Sequence, residues 1–175
     1  MHTHTDSKNR TYRIAIIGLL AAMSLGIYAL ESMLPPLIPI PGIKPGLSNI
    51  IILFALKRLG KKEAGTVLLV RILLSGMLFG SGISLFYSLM GGAAALCAEM
   101  LTDKVLKEKH LYLTGAFGGL LHNAGQLAAA LIIMKTSAVL SFAPYLAVAG
   151  VITGLFTGLC AHFLLKIRIP NETRA

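Results

Sequence analysis

The chain has 175 residues, of which 55% are hydrophobic and 13% charged, with a formal net charge of +9 and a mean hydropathy of +0.77. Apolar runs long enough to cross a hydrocarbon core, which takes about 20 residues of helix, exclude an ordinary soluble domain; with no period-2 alternation to support a barrel, the fold class is all-α, a polytopic membrane protein. The basic excess comes without any base-reading module, so nucleic acid is excluded as a partner.

In chain order, residues 1–11 read as a polar cytoplasmic tail. His2 and His4 have a spacing that can touch a metal, but a disordered terminus is the simpler reading. A first apolar segment, 12–30, is too long and lacks the small-residue cleavage signal of a removable leader, so it is taken as a membrane helix. Gly18, Ala22 and Gly26 repeat on it at four-residue spacing, a smooth stripe that suits either internal helix packing or docking to a separate membrane subunit.

The next stretch, 34–49, holds five of the seven prolines. Each removes a backbone donor and disfavours helix in the residue before it, so an irregular Pro/Gly-rich outer loop is expected, delivering the chain into a second helix over 47–56. A broken approach to a short helix is a pointer to a binding site in membrane proteins. Lys44, Ser48 and Asn49 lie there. The positive end of the second helix and its free amides, with Lys44, can hold an anion at the outer mouth; ordinary capping by Ser48 is the alternative.

A third helix is expected over 64–79 and carries Arg71, a charge that costs about 3 kcal/mol near the middle of a membrane helix and is normally turned inward. Two readings stand: a counter-charge for an anionic ligand, or an ion pair with Glu31 or Glu99 or snorkelling toward the cytoplasm. Ser75 lies one turn on and shares its face. A fourth helix spans 83–101. On a fifth, 111–134, positions 115, 118, 119, 122 and 126 fall on one face, so Gly115, Gly118 and Gly119 let a neighbour approach while His122, Asn123 and Gln126 supply polar groups for a ligand or for interhelical hydrogen bonds. A sixth helix, 142–167, closes a single six-helix membrane domain over 12–167, followed by a cytoplasmic tail over 168–175.

Thirteen of the 16 basic residues fall before the first helix, between the second and third, between the fourth and fifth, and after the sixth. The positive-inside rule then puts both termini in the cytoplasm and the proline-rich loop outside. Cys97 and Cys160 lie in apolar helical context and read as free thiols; no metal-ligand, P-loop or nucleophile pattern is present, so no metal and no catalytic residue is expected.

The strings Pro41-Gly42-Ile43-Lys44-Pro45-Gly46-Leu47-Ser48-Asn49, Val70-Arg71-Ile72-Leu73 and Leu121-His122-Asn123-Ala124-Gly125-Gln126 resemble the bacterial Gx transporter family, also labelled heptaprenyl diphosphate synthase component I, over about 12–166. The helix count, the small residues on the first helix and the plugging loop are similar to the substrate-binding S components of energy-coupling factor (ECF) transporters. The resemblance implies a membrane-embedded binding subunit in the bacterial plasma membrane for a small anionic or amphipathic solute, a vitamin, flavin or isoprenoid/quinone precursor. Arg71, His122, Asn123, Gln126 and Ser75 would line its cavity, with Lys44, Ser48 and Asn49 at its mouth and the loop as a gate. Gly18, Ala22 and Gly26 would dock a transmembrane coupling subunit driven by cytosolic ATPases, ATP being hydrolysed there and no cofactor held in this chain. The alternative it implies is a non-catalytic component of prenyl diphosphate or quinone synthesis, or of a flavin-based extracellular electron transfer assembly, with a prenyl synthase or redox partner. An enzyme in its own right is not expected: prenyl diphosphate chemistry needs clustered aspartates around magnesium, and the chain has only Asp6 and Asp103, far apart.

Overall fold

The computed structural model describes residues 3–34, 43–79, 82–106 and 110–167, with side chains from Arg10 onward. Six α-helices follow one another: α1 (Thr3–Met33), α2 (Asn49–Arg58), α3 (Lys61–Phe79), α4 (Gly82–Val105), α5 (Leu111–Met134) and α6 (Ala143–Leu165), with a 3-10 turn at Ser137–Phe142 before the last. No strand occurs among the described residues.

The short α2 is the centre of the bundle. It is apolar all round, and every residue from Asn49 to Leu56 is buried, as expected of a helix with no solvent stripe. It packs against α1, α3, α4 and α6. Lys57 and Arg58 end it where the helix dipole favours cations. The amides of Leu59 and Gly60 both close onto the carbonyl of Ala55, and Gly60 takes the left-handed φ of +108° that stops the helix and turns the chain into α3.

Four helical stretches, Arg10–Met33, Gly82–Val105, Leu111–Met134 and Ser137–Leu165, are long and apolar enough to cross a membrane. At about 1.5 Å per residue the ten residues of α2 reach only about 15 Å, half of a roughly 30 Å hydrocarbon core. The 19 residues of α3 include Lys61, Lys62, Glu63 and Arg71. The expected polar tail is also different in kind. Residues from Thr3 onward are helical and continuous with α1, because no proline or glycine interrupts the chain before Gly18. The proline-rich loop falls at 35–42 on residues outside those described, as does the tail at 168–175; the described remainder, 43–48, is irregular, as its proline demands.

At one end of the bundle Arg13 pairs with Glu63 and Lys57 with Asp103. These are the ends at which α1 begins, α2 meets α3, and α4 finishes. Cys97 is exposed and Cys160 partly so, both as free thiols.

Candidate functional site

The two most distinctive strings of the sequence, 44–49 and 122–126, meet inside the bundle. Across 82 residues of sequence the backbone amide of Lys44 donates to Gln126 Oε1 at 3.2 Å, and the side-chain amide of Asn49 lies 3.1 Å from His122 Nδ1. Gln126 Nε2, oriented by that first bond, lies 3.1 Å from His122 Nε2. A neutral imidazole has one donor and one acceptor nitrogen. With Gln126 donating to Nε2, the ring proton sits on Nδ1, and the Asn49 amide has to turn its oxygen rather than its nitrogen toward that N–H. All three side chains are 5% exposed or less.

Gly46 is the reason the two strings fit. It has a left-handed φ of +83°, and a Cβ there would lie 2.8 Å from His122 Cδ2, so both the backbone and the ring demand glycine. Gly91 of α4 closes the other side of the ring, where a Cβ would lie 2.9 Å from His122 Cε1 and from Gln126 Cγ.

The amides ahead of α2 do not wait for an external anion. Glu31, near the end of α1 and 3% exposed, brings its Oε1 to the backbone N–H groups of Gly46 and Leu47. The chain fills the helix N-terminus with its own carboxylate, which corrects the expectation of an open anion site there. Ser48 stands at the N-cap position without a side-chain cap bond; its carbonyl accepts from Ser24 Oγ at 3.1 Å. Lys44 also has local partners: its Nζ donates to Ser32 Oγ and lies 3.6 Å over the ring of Tyr28.

Arg71 differs from all of these. It is 1% exposed, its Nε and Nη2 have no hydrogen-bond partner, and no ion pair reaches it among the described residues. The ion pairs considered with Glu31 and Glu99 are therefore not made: Glu31 is held by the 46–47 amides. The Arg71 guanidinium stands 5.6 Å from the Tyr28 ring, with Nη2 at 3.6 Å from the Cβ position of Gly92, the residue beside the glycine that packs on His122. Glu31 Oε2 and one atom of the Asn49 amide are likewise unpartnered. Ser75, 1% exposed on the same face, spends its hydroxyl on the carbonyl of Ile72 at 3.0 Å.

The constellation expected on α5 is divided between two neighbours. Gly115 and Gly119 lie against the backbone of α6, where Cβ atoms would come within 2.6 Å of Gly158 N and 2.7 Å of Gly154 Cα. Asn123 faces that same side and donates to the carbonyl of Leu146 at 2.8 Å. Gly118 instead faces Glu99 of α4, while His122 and Gln126 turn to the 44–49 segment. Asn123 thus belongs to the α5–α6 seam, because one residue of helix rotates it about 100° away from His122.

Tyr28, Ser24, Gly46 and Gly91 are site residues that sequence reasoning passed over. The readable signal was the spacing of Ser24, Tyr28 and Glu31, which puts three polar groups on one face of an otherwise apolar helix. The stripe Gly18, Ala22, Gly26 lies elsewhere. All three residues are exposed, and a Cβ on either glycine would meet nothing within 4 Å. Among the described residues no group of three or more His, Cys, Asp or Glu is placed to hold a metal ion.

No curated protein and no solved structure gives a significant match to this chain. The sequence profile of heptaprenyl diphosphate synthase component I matches residues 20–164, which span α2 to α5 entire and all but the ends of the bundle, including every residue of the Arg71 and His122 clusters. With that match covering most of its length, the chain belongs to the heptaprenyl diphosphate synthase component I family.

Proposed function

We propose that the chain is a membrane-embedded binding subunit for a small polar anion, acting with partner proteins as S components of ECF transporters do. The observation that carries this reading is Arg71: a guanidinium 1% exposed with two nitrogens unpartnered, although a charge at such a place is expensive unless something pairs with it. The unpartnered Glu31 Oε2 nearby in the same cluster adds an acceptor. Together they suit a ligand that carries an anionic group and also an N–H or O–H donor. Arg71 takes the anionic group, Glu31 the donor, and His122, Asn49 and Gln126 fix the wall behind them. Six membrane-embedded helices with both termini cytoplasmic, in a plasma membrane, complete this reading, with α2 enclosed in the bundle and α3 packed against α1, α2 and α4. The open stripe on α1 suits a coupling subunit, and cytosolic ATPases would supply the energy.

The family's name favours a second reading, a membrane component that serves a separate prenyl diphosphate synthase subunit. A polyprenyl diphosphate offers acceptors only. It satisfies Arg71 but meets Glu31 Oε2 with like charge, so the polar cluster supports this reading less.

The deciding experiment is native mass spectrometry of the detergent-purified protein with its co-purifying small molecules. A stoichiometric polar anion, retained by wild type and lost from Arg71→Met, is the expected result. Recovery of bulk lipid alone, together with a prenyl synthase subunit in the same preparation, would replace it with the second reading.

A further inference from the structure

A second buried charge lies apart from the Arg71 cluster. Glu99 stands on α4, six residues before its end at Val105, and is 2% exposed. Its Oε2 has no hydrogen-bond partner. Its Oε1 is pressed onto α5, since a Cβ on Gly118 would lie 2.6 Å from it. The seam is closed over this carboxyl group, and glycine is what permits the closure.

The charges on every element packed against α4 are otherwise engaged or distant. These elements are α2, α3 and α5, with α1 touching α4 through Tyr28 and Ser84, the latter fifteen residues before Glu99 on α4. On α2, Lys57 pairs with Asp103 and Arg58 reaches the carbonyl of Ile167 at 3.4 Å. On α3, Lys61 and Lys62 are exposed and Glu63 pairs with Arg13. Arg71 lies beside Gly92, two helical turns, about 10 Å, from Glu99 along α4. On α5 the sole titratable group within the helix apart from Tyr112 is His122, bonded to Asn49 and Gln126. On α4 itself Asp103 is taken by Lys57, and Lys104 is exposed. No cation pairs with Glu99 among the described residues, and no group of three or more His, Cys, Asp or Glu placed to hold a metal ion includes it.

An isolated carboxylate in a dry, apolar seam is strongly disfavoured relative to the neutral acid, which carries no charge to solvate. We infer that Glu99 is a proton-binding site: the seam between α4 and α5 holds a neutral carboxylic acid, taking up one proton and releasing it toward the end of the bundle where Lys57 and Asp103 meet. The proton is the one ligand small enough for a group packed directly on Gly118. Asp103, one helical turn on toward that end, has a side chain 27% exposed. The site is independent of the Arg71 cluster and of any solute bound there.

Infrared spectroscopy of the full chain at neutral pH, in a detergent without ester or acid carbonyls, tests this. The expected result is a protonated-carboxyl band that shifts in heavy water and is lost in Glu99→Gln. The same band undiminished in Glu99→Gln would overturn the proposal. Should that variant not fold, wild type alone decides: dicyclohexylcarbodiimide, which attacks carboxyl groups in their protonated form within apolar surroundings, labels Glu99 if it holds a proton, with labelling falling as pH rises and unaffected by sodium. An unlabelled Glu99, or labelling blocked by sodium at constant pH, would count against a proton site.

Discussion

The two flanks of α5 are built on opposite principles. Toward α6 it presents Gly115 and Gly119 to Gly150, Gly154 and Gly158, backbone against backbone, where a Cβ on Gly158 would lie 2.5 Å from the carbonyl of Leu111. In lipid there is little hydrophobic drive between helices, so close packing of small residues supplies the association. Toward α2 and α4 it presents His122 and Gln126 to a hydrogen-bonded cluster whose outer members, Arg71 and Glu31, keep unpartnered atoms. The first flank leaves one neutral amide oxygen, Asn123 Oδ1, unpartnered, whereas the second holds charged groups that nothing in the described chain satisfies. A membrane bundle gains nothing in stability from an unpaired buried charge, and the presence of such charges on the second flank alone marks that flank as the working one.

The sharpest way to break the comparison is to spoil the close-packed flank. Gly119→Ala should lower the stability of the purified protein by about 2–3 kcal/mol, because the added methyl meets the α6 backbone at Gly150 and Gly154 and overpacked sites relax poorly. Thermal unfolding in detergent reads this directly. A change below about 0.5 kcal/mol would mean that the α5–α6 seam is loose and the contrast false.

Arg71→Met should act with the opposite sign. It removes a buried charge that makes no ion pair and has only a longer-range attraction to Glu31 and the Tyr28 ring to set against its burial, and it keeps the bulk, so unfolding should become harder by about 1–2 kcal/mol, while retention of the co-purifying anion is lost. A destabilised Arg71→Met would show that Arg71 is structural glue, and the two flanks would then differ less than proposed.

A smaller effect probes how 44–49 is held against α5. Gly46→Ala forces a side chain into the left-handed region, at about 1–2 kcal/mol, and drives it onto the His122 ring. In the His122→Ala background the ring is gone and only the backbone strain remains, so the second loss should be smaller by about 1 kcal/mol. A double-mutant cycle measures that coupling. Strict additivity would mean that the ring and the turn do not meet.

Much of this was legible in the sequence, and the part that was not has physical causes. Hydropathy placed all six helices to within a few residues at most ends, because apolar run length is a direct consequence of burial in lipid. It could not tell α2, which is buried on all sides by protein, from a span buried by lipid, since both look uniformly apolar. The polar start of α1 read as a tail for the converse reason: composition reports on the membrane, while helix formation there needs only the lack of a breaker. Lys44, Ser48, Asn49, His122 and Gln126 were identified as important, yet the bonds that tie 44–49 to α5 join residues 73 or more positions apart and no local pattern encodes that. Glu31 was weighed as a partner for Arg71, whereas the backbone amides of 46 and 47 claim it. The spacing of Gly150, Gly154 and Gly158 repeats that of Gly18, Ala22 and Gly26. The same reasoning could have found that α6 stripe, where the backbone contact with α5 is made.

That last pair of stripes gives the finest test. Gly18 and Gly26 have the spacing of the α6 glycines but no neighbour within 4 Å of where a Cβ would stand, so identical sequence patterns serve one packed seam and one open surface. Substituting Gly154 by leucine should destroy the fold, whereas Gly18→Leu and Gly26→Leu should shift stability by no more than about 0.5 kcal/mol, as surface changes do. If a coupling subunit docks on α1, the same two variants lose it on co-purification while still retaining the small anion. Variants that keep the partner would leave α1 a lipid-facing helix with an idle stripe. Variants that unfold would mean that the stripe already packs within this chain, and the distinction between the two would disappear.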